Sequence, residues 1–68
     1  MAERVESNLR EYRTSASLTQ AQLAADVGVT RQTIIAIERG NYTPSILLAL
    51  KLARALGVTV EELFRYVE

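Results

Sequence analysis

The chain contains no cysteine and no histidine in its 68 residues. That excludes a disulfide framework, thiolate or imidazole metal sites, and any catalytic pair built on those side chains. Ser and Thr are left without a candidate base. Glu61 and Glu62 are neighbours in sequence, so they diverge on a helix instead of converging on a substrate. The expectation is a protein that is not an enzyme and needs no cofactor, metal or small-molecule ligand. No apolar run approaches the ~18 residues of a membrane span, and Met-Ala-Glu-Arg-Val does not open as a secretory leader does. A cytoplasmic protein with no membrane partner is expected.

Net charge is absent too: eight basic residues balance eight acidic ones. The balance is uneven along the chain. Residues 1–8 sum to −1 (Glu3, Arg4, Glu6) and 58–68 to −2 (Glu61, Glu62, Arg65, Glu68), which leaves 9–57, with six basic and three acidic residues, at +3. Hydrophobic residues make up 49% and charged ones 24%, the balance of a globular chain. One domain spanning 1–68 is expected. A domain of this size buries only about 60% of its unfolded surface, so its margin of stability is small.

What is present is concentrated in Thr19–Gly40, TQAQLAADVGVTRQTIIAIERG. Thr19 is placed to accept from an orphan N–H and cap a helix over Gln20–Val27. Leu23, Ala24 and Val27 share one stripe of that helix. Gly28 ends it where a left-handed residue is needed, and Val29 plugs the turn. Thr30 caps a second helix over Arg31–Arg39, in which Ile34 and Ile37 point inward and leave the leading turn polar. Two capped helices around a glycine turn, the second with an exposed polar first turn, have the design of a DNA-reading helix-turn-helix.

Around this unit, Asn8 is a candidate cap for a helix over Leu9–Ala16 with Leu9 and Tyr12 inward, while Arg10 and Glu11 read as a solvated face. Asn41–Ser45 is a turn-rich loop in which Pro44 disfavours helix at Thr43 and Ser45 can cap the next helix. In that helix, Ile46–Leu56, the core positions are read as Ile46, Leu47, Leu50, Ala53 and Leu56. Gly57 stops it. Thr59 and Glu62 form a capping-box pair for a single turn through Leu63. Phe64–Val67 alternates as a strand does, and a lone strand needs a partner, either Arg4–Ser7 or a second copy.

The residues LTQAQLAADVGVTRQTIIAIERGNYTPS, followed by LALKLARALGVTVEELF, resemble the Xre or Cro/phage-repressor helix-turn-helix family over about Leu9–Phe64. Gln20, Ala24, Gly28, Ile34 and Ile37 carry the match. The whole chain is similar to short stand-alone members of that family. The resemblance implies an all-α, five-helix repressor-like domain with a two-stranded antiparallel sheet of the chain ends, Arg4–Ser7 against Phe64–Val67, acting as a homodimer. It also implies a structural salt bridge between Arg13 and Glu38. Arginine suits a bidentate, partly buried carboxylate better than lysine does.

Recognition is assigned residue by residue. Gln32 can bond adenine N6 and N7 together, Arg31 can do the same to guanine O6 and N7, and Ala36 can touch a thymine methyl; these are the candidate base readers. Candidate backbone contacts are Gln20 at a helix N-terminus and the hydroxyls of Thr30 and Thr33. Arg39, Asn41, Tyr42 and Thr43 join them because phosphate contacts lie there in similar repressors. One reading helix covers only a few base pairs, so two-fold symmetry and a palindromic operator are expected. The candidate dimer interface lies in 58–68 and uses Val60, Leu63, Phe64 and Tyr66, with Val5 nearby. The leading reading is a transcriptional regulator, most simply a repressor bound to double-stranded DNA. The alternative is an antitoxin or other partner-binding helix-turn-helix protein.

Overall fold

The computed structural model describes residues 3–68, and among them the chain folds as β1 (Arg4–Ser7), α1 (Leu9–Ser15), α2 (Gln20–Val27), α3 (Arg31–Glu38), α4 (Ile46–Leu56), α5 (Val60–Leu63) and β2 (Phe64–Val67). The five helices and the antiparallel sheet of the chain ends are those implied by the resemblance. Met1 and Ala2, part of the expected N-terminal segment, lie outside the described residues.

Helix boundaries follow the caps. Thr19 Oγ1 accepts from Gln22 N at 3.0 Å while the Gln22 side chain accepts from Thr19 N at 2.8 Å, which satisfies two backbone donors reciprocally. Thr59 and Glu62 repeat the arrangement on α5. Thr30 and Ser45 cap α3 and α4 through the N–H groups of Thr33 and Leu48. Gly28 and Gly57 take left-handed conformations, φ +76° and +68°, at the ends of α2 and α4. Helix α1 is one residue shorter than expected, with Ala16 as its C-cap. Ser17, just beyond it, also sits at positive φ, 59°.

Asn8 does not cap α1 with its side chain. Ser7 Oγ accepts from Leu9 N at 3.2 Å instead. Asn8 is drawn to the other end of the chain, where its N–H donates to the Leu63 carbonyl (2.8 Å) and its amide to that of Glu62 (3.3 Å). The pairing of the two termini begins at these bonds. The ladder continues as Ser7↔Phe64, Glu6↔Arg65, Val5↔Tyr66 and Arg4↔Val67.

Every helix contributes at least one fully buried side chain to a single core: Leu9, Leu23, Ile34 with Ile37, Leu52 and Leu63. Burial of such a side chain contributes about 1.5–3 kcal/mol. Helix α4 buries only part of the expected stripe: Ala53 is in the core and Leu56 packs against it. Leu48, Ala49, Leu52 and Ala53 face the core, whereas Ile46, Leu47 and Leu50 are 80%, 64% and 54% exposed. Apolar residues occupy nearly all of its turns, so periodicity alone supports two stripes. The one chosen buries Leu48, Ala49, Leu52 and Ala53, and α4 packs against α2 and α5.

Candidate nucleic-acid interface

Helix α3 is held by a polar network that joins four segments. Arg13 of α1 donates from Nε to Glu38 Oε2 at 2.6 Å and from Nη2 to Glu38 Oε1 at 3.2 Å. Its Nη1 donates to the Leu18 carbonyl at 2.8 Å, fixing the loop that leads into α2. Gln20 Nε2 of α2 donates to Glu38 Oε1 at 3.1 Å. The pair is almost dry, with the Arg13 and Glu38 side chains 11% and 5% exposed. No buried side-chain polar atom lacks a partner among the described residues. A charge pair removed from water is tolerable only when fully satisfied in this way.

With Ile34 and Ile37 in the core and Glu38 tied down, α3 turns its other face outward. Arg31 and Gln32 are exposed on its first turn, and Ala36 is half-buried one turn on. Ile35 falls between Arg31 and Arg39 on an i, i+4 stripe and lines the same groove as they do. That groove runs between α1, α2 and α3. Arg10 also borders it, although its surroundings in sequence read as a solvated face. The i, i+4 spacing of Arg31, Ile35 and Arg39 was the available signal for Ile35. Arg10 gave no local signal, because its placement depends on how α1 crosses α3.

The remaining candidate backbone contacts are distributed around this face. The Gln20 side chain is half-buried and engaged with Glu38, at the start of α2 beside the groove. The Thr30 and Thr33 hydroxyls lie 3.2 Å apart at the start of α3. Arg39, Asn41, Tyr42 and Thr43 are all exposed in the stretch that leaves α3. Arg31, Arg39 and Arg10 are three guanidinium groups around a groove whose one acid, Glu38, is already neutralised by Arg13.

The expected dimer residues separate. Leu63 is fully buried and has no surface to offer a second chain. Val60 and Phe64 are partly buried and pack against the core. Tyr66 is exposed, and its hydroxyl donates to the carboxylate of Glu3 and, at 3.4 Å, to Glu68. Beside it, Arg65 Nη2 donates to Glu6 Oε1 at 2.5 Å and Arg4 Nη2 to Glu6 Oε2 at 3.2 Å. The hydrogen bond from Arg65, with Arg4 adding to it, holds the Glu6 carboxyl below its ordinary 4.5. The bond to Glu3 pushes the Tyr66 phenol above its ordinary 10.0.

Two capped helices around a left-handed glycine, with a polar leading turn on the second, define a helix-turn-helix DNA-binding domain. The helix-turn-helix family model matches residues 9–63, and the chain belongs to that family of transcriptional regulators. It is 50% identical over 62 residues to an HTH-type transcriptional regulator of Methanocaldococcus jannaschii, covering 91% of this chain and 94% of that one. A transcriptional repressor of a cryptic phage in Vibrio cholerae is 35% identical over 57 residues, which are 84% of this chain and 51% of the repressor. Among solved structures, the restriction-modification controller protein C.AhdI of Aeromonas hydrophila superposes with a TM-score of 0.74 at 41% identity. The match covers 79% of this chain and 82% of the controller. No helix among the described residues is long and apolar enough to cross a membrane.

Proposed function

We propose that the protein binds a palindromic DNA operator as a homodimer, with α3 of each copy in a major groove, and represses transcription by occluding a promoter. One observation carries the reading. Arg31 and Gln32 stand exposed on the leading turn of a helix whose far end is locked through Glu38 to α1 and α2. A side chain that discriminates bases must be held in place, because a bidentate contact is worth about 1–3 kcal/mol only when its geometry is met. Gln32 and Arg31 are the base readers, and Ala36 and Ile35 supply apolar surface for a thymine methyl. Arg39, Asn41, Tyr42, Thr43, Thr30, Thr33 and the start of α2 at Gln20 set the register on the phosphates.

The neutral total charge is consistent with this assignment, because the +3 of residues 9–57 lies in the segment that carries α3 and the groove. Non-specific affinity is then modest, and a larger share of binding comes from the bases. Two-fold symmetry follows from information content, since one short helix covers too few base pairs to define a site and two copies placed one helical turn apart double it. Promoter occlusion is the simplest mode for a domain of this size, and the similar Vibrio cholerae phage protein is a transcriptional repressor. Selection of bound sequences from random duplex DNA tests the reading. An inverted repeat with half-site centres about 10 bp apart supports it, and recovery of unrelated sequences would overturn it.

A further inference from the structure

One cation beside α3 has no part in the reading above. Arg10 of α1 lines the groove between α1, α2 and α3 together with Arg31, Ile35 and Arg39. It is exposed, and among the described residues its side chain makes neither an ion pair nor a hydrogen bond. Only its carbonyl meets a side chain, accepting from the Thr14 hydroxyl at 2.9 Å. Residues 9–57 hold six basic side chains. Arg13 is committed to Glu38, and Lys51 and Arg54 line a separate groove between α2 and α4, beside Asp26. The other three, Arg10, Arg31 and Arg39, all border one groove whose acid is already neutralised. Like charges gathered in this way raise the local potential and favour a polyanion.

We infer that Arg10 is a positioning residue for DNA, clamping a phosphate of the strand that walls the major groove in which α3 lies. The inference rests on the placement of α3 proposed above. It adds a contact from α1, outside the Thr19–Gly40 unit, at a position that gives no local signal in the sequence.

Dimensions decide between base and phosphate. A helix with its side chains is about 10–12 Å across, and the major groove is about 12 Å wide. Helix α3 therefore fills the major groove when its leading turn reaches the bases. Packed helices lie about 8–10 Å apart, and α1 packs on α3. A side chain of α1 that shares a protein groove with α3 then stands over the rim of the major groove. The rim is phosphate.

The position is also braced. Arg13, one turn after Arg10 on α1, is tied to Glu38 of α3 by two hydrogen bonds. The backbone that carries Arg10 is therefore fixed relative to α3. Arg31 and Arg39 lie along α3 itself, about 12 Å apart on a rise of 1.5 Å per residue. A contact from α1 is off that axis, so it opposes rotation of the domain about α3 and keeps the leading turn aimed at the base edges. In a chain with no net charge, one such contact is a sizeable part of the affinity that phosphates supply.

The test compares the full-length wild type with Arg10→Ala, Arg10→Lys and Arg54→Ala on a random duplex and on a selected operator, from about 50 to 200 mM salt. Arg10→Ala is expected to bind both DNAs severalfold more weakly at the low-salt end. Most of that deficit should vanish at the high-salt end, because one phosphate contact is worth about 3.5-fold over this interval. Single base-pair changes in the operator should cost the variant what they cost the wild type. Arg10→Lys should restore most of the affinity, since a phosphate accepts a point charge, and Arg54→Ala should bind as the wild type does. Thermal unfolding of the two Arg10 variants should match the wild type, because the side chain is exposed and unbonded. Wild-type affinity and salt slope in Arg10→Ala, an altered base preference, or an equal loss in Arg54→Ala, which would trace the effect to bulk charge, would each overturn the inference. A wild type that binds random duplex yet selects no motif refutes the operator reading alone, and the salt slope on random duplex still decides the clamp. A wild type that binds no DNA refutes both.

Discussion

The Arg13 guanidinium and the Glu38 carboxylate, 25 residues apart in sequence, meet through two hydrogen bonds in a site where Glu38 is 5% exposed. Arg13 also holds the Leu18 carbonyl and Gln20 joins the same carboxylate, so one network sets the angle between α1, α2 and the reading helix. Removing one partner leaves the other charge dry. Arg13→Ala is therefore expected to cost about 3–5 kcal/mol, enough to unfold much of a domain with a small stability margin. Denaturant unfolding checks this, and a double-mutant cycle with Glu38→Gln should show that the two losses are strongly non-additive. Additive losses would mean that the pair is not coupled.

Ser17 occupies left-handed backbone at φ 59°, where a Cβ is unfavourable and glycine is not. Ser17→Gly is expected to stabilise the protein by several tenths to about 1 kcal/mol, and Ser17→Val to destabilise it by at least as much. For a domain of 60–100 residues, 1 kcal/mol moves the melting temperature by about 4–8 °C, which calorimetry resolves. The position lies one residue before Leu18, whose carbonyl Arg13 holds, so the glycine variant also tests whether that loop is under strain.

Base readers and backbone contacts should fail differently on DNA. Gln32→Ala and Arg31→Ala should each lose about 1–3 kcal/mol of discrimination at their own base pairs and retain binding to random duplex. Arg39→Ala should weaken binding to all sequences alike and lower the slope of log affinity against log salt by about one. Gel-shift titrations at several salt concentrations separate the two patterns.

The terminal sheet should respond to pH at both extremes. Glu6 is held below its ordinary 4.5 chiefly by the Arg65 hydrogen bond, so its contribution is present above that value and is lost as pH falls through the lowered one. Tyr66 is raised above 10.0 chiefly by the bond to Glu3, so its contribution is present below 10.0 and is lost as pH rises through the raised value. The pairing of Phe64–Val67 with Arg4–Ser7, followed by NMR chemical shifts across a pH titration, should loosen in acid and again in strong alkali. Glu3→Gln should lower the Tyr66 titration toward 10.0.

The parts of this fold set by short-range chemistry were legible in the sequence. Thr19, Thr30, Ser45 and Thr59 cap the helices that follow them, and Gly28 and Gly57 stop α2 and α4 in the expected left-handed turns. The sheet of the chain ends came from the family resemblance, since alternation in Phe64–Val67 gave a strand without naming its partner. Two features were not legible. Asn8 looks like a cap but bonds to residues more than fifty positions away, which no local pattern reveals. In α4, apolar residues lie on both sides, so periodicity alone does not choose the buried stripe, and packing against α2 and α5 does. The same ambiguity placed the exposed Ile46, Leu47 and Leu50 in the core.

The leading turn of α3 is proposed to read DNA sequence in a two-fold arrangement. Its most direct test is selection from random duplex DNA, carried out in parallel with the wild type and the Arg31→Ala, Gln32→Ala double variant. An inverted repeat is expected for the wild type, with half-site centres about 10 bp apart, and loss of that motif in a variant that remains folded. Recovery of the same motif by both proteins, or of no motif by the wild type, would contradict it.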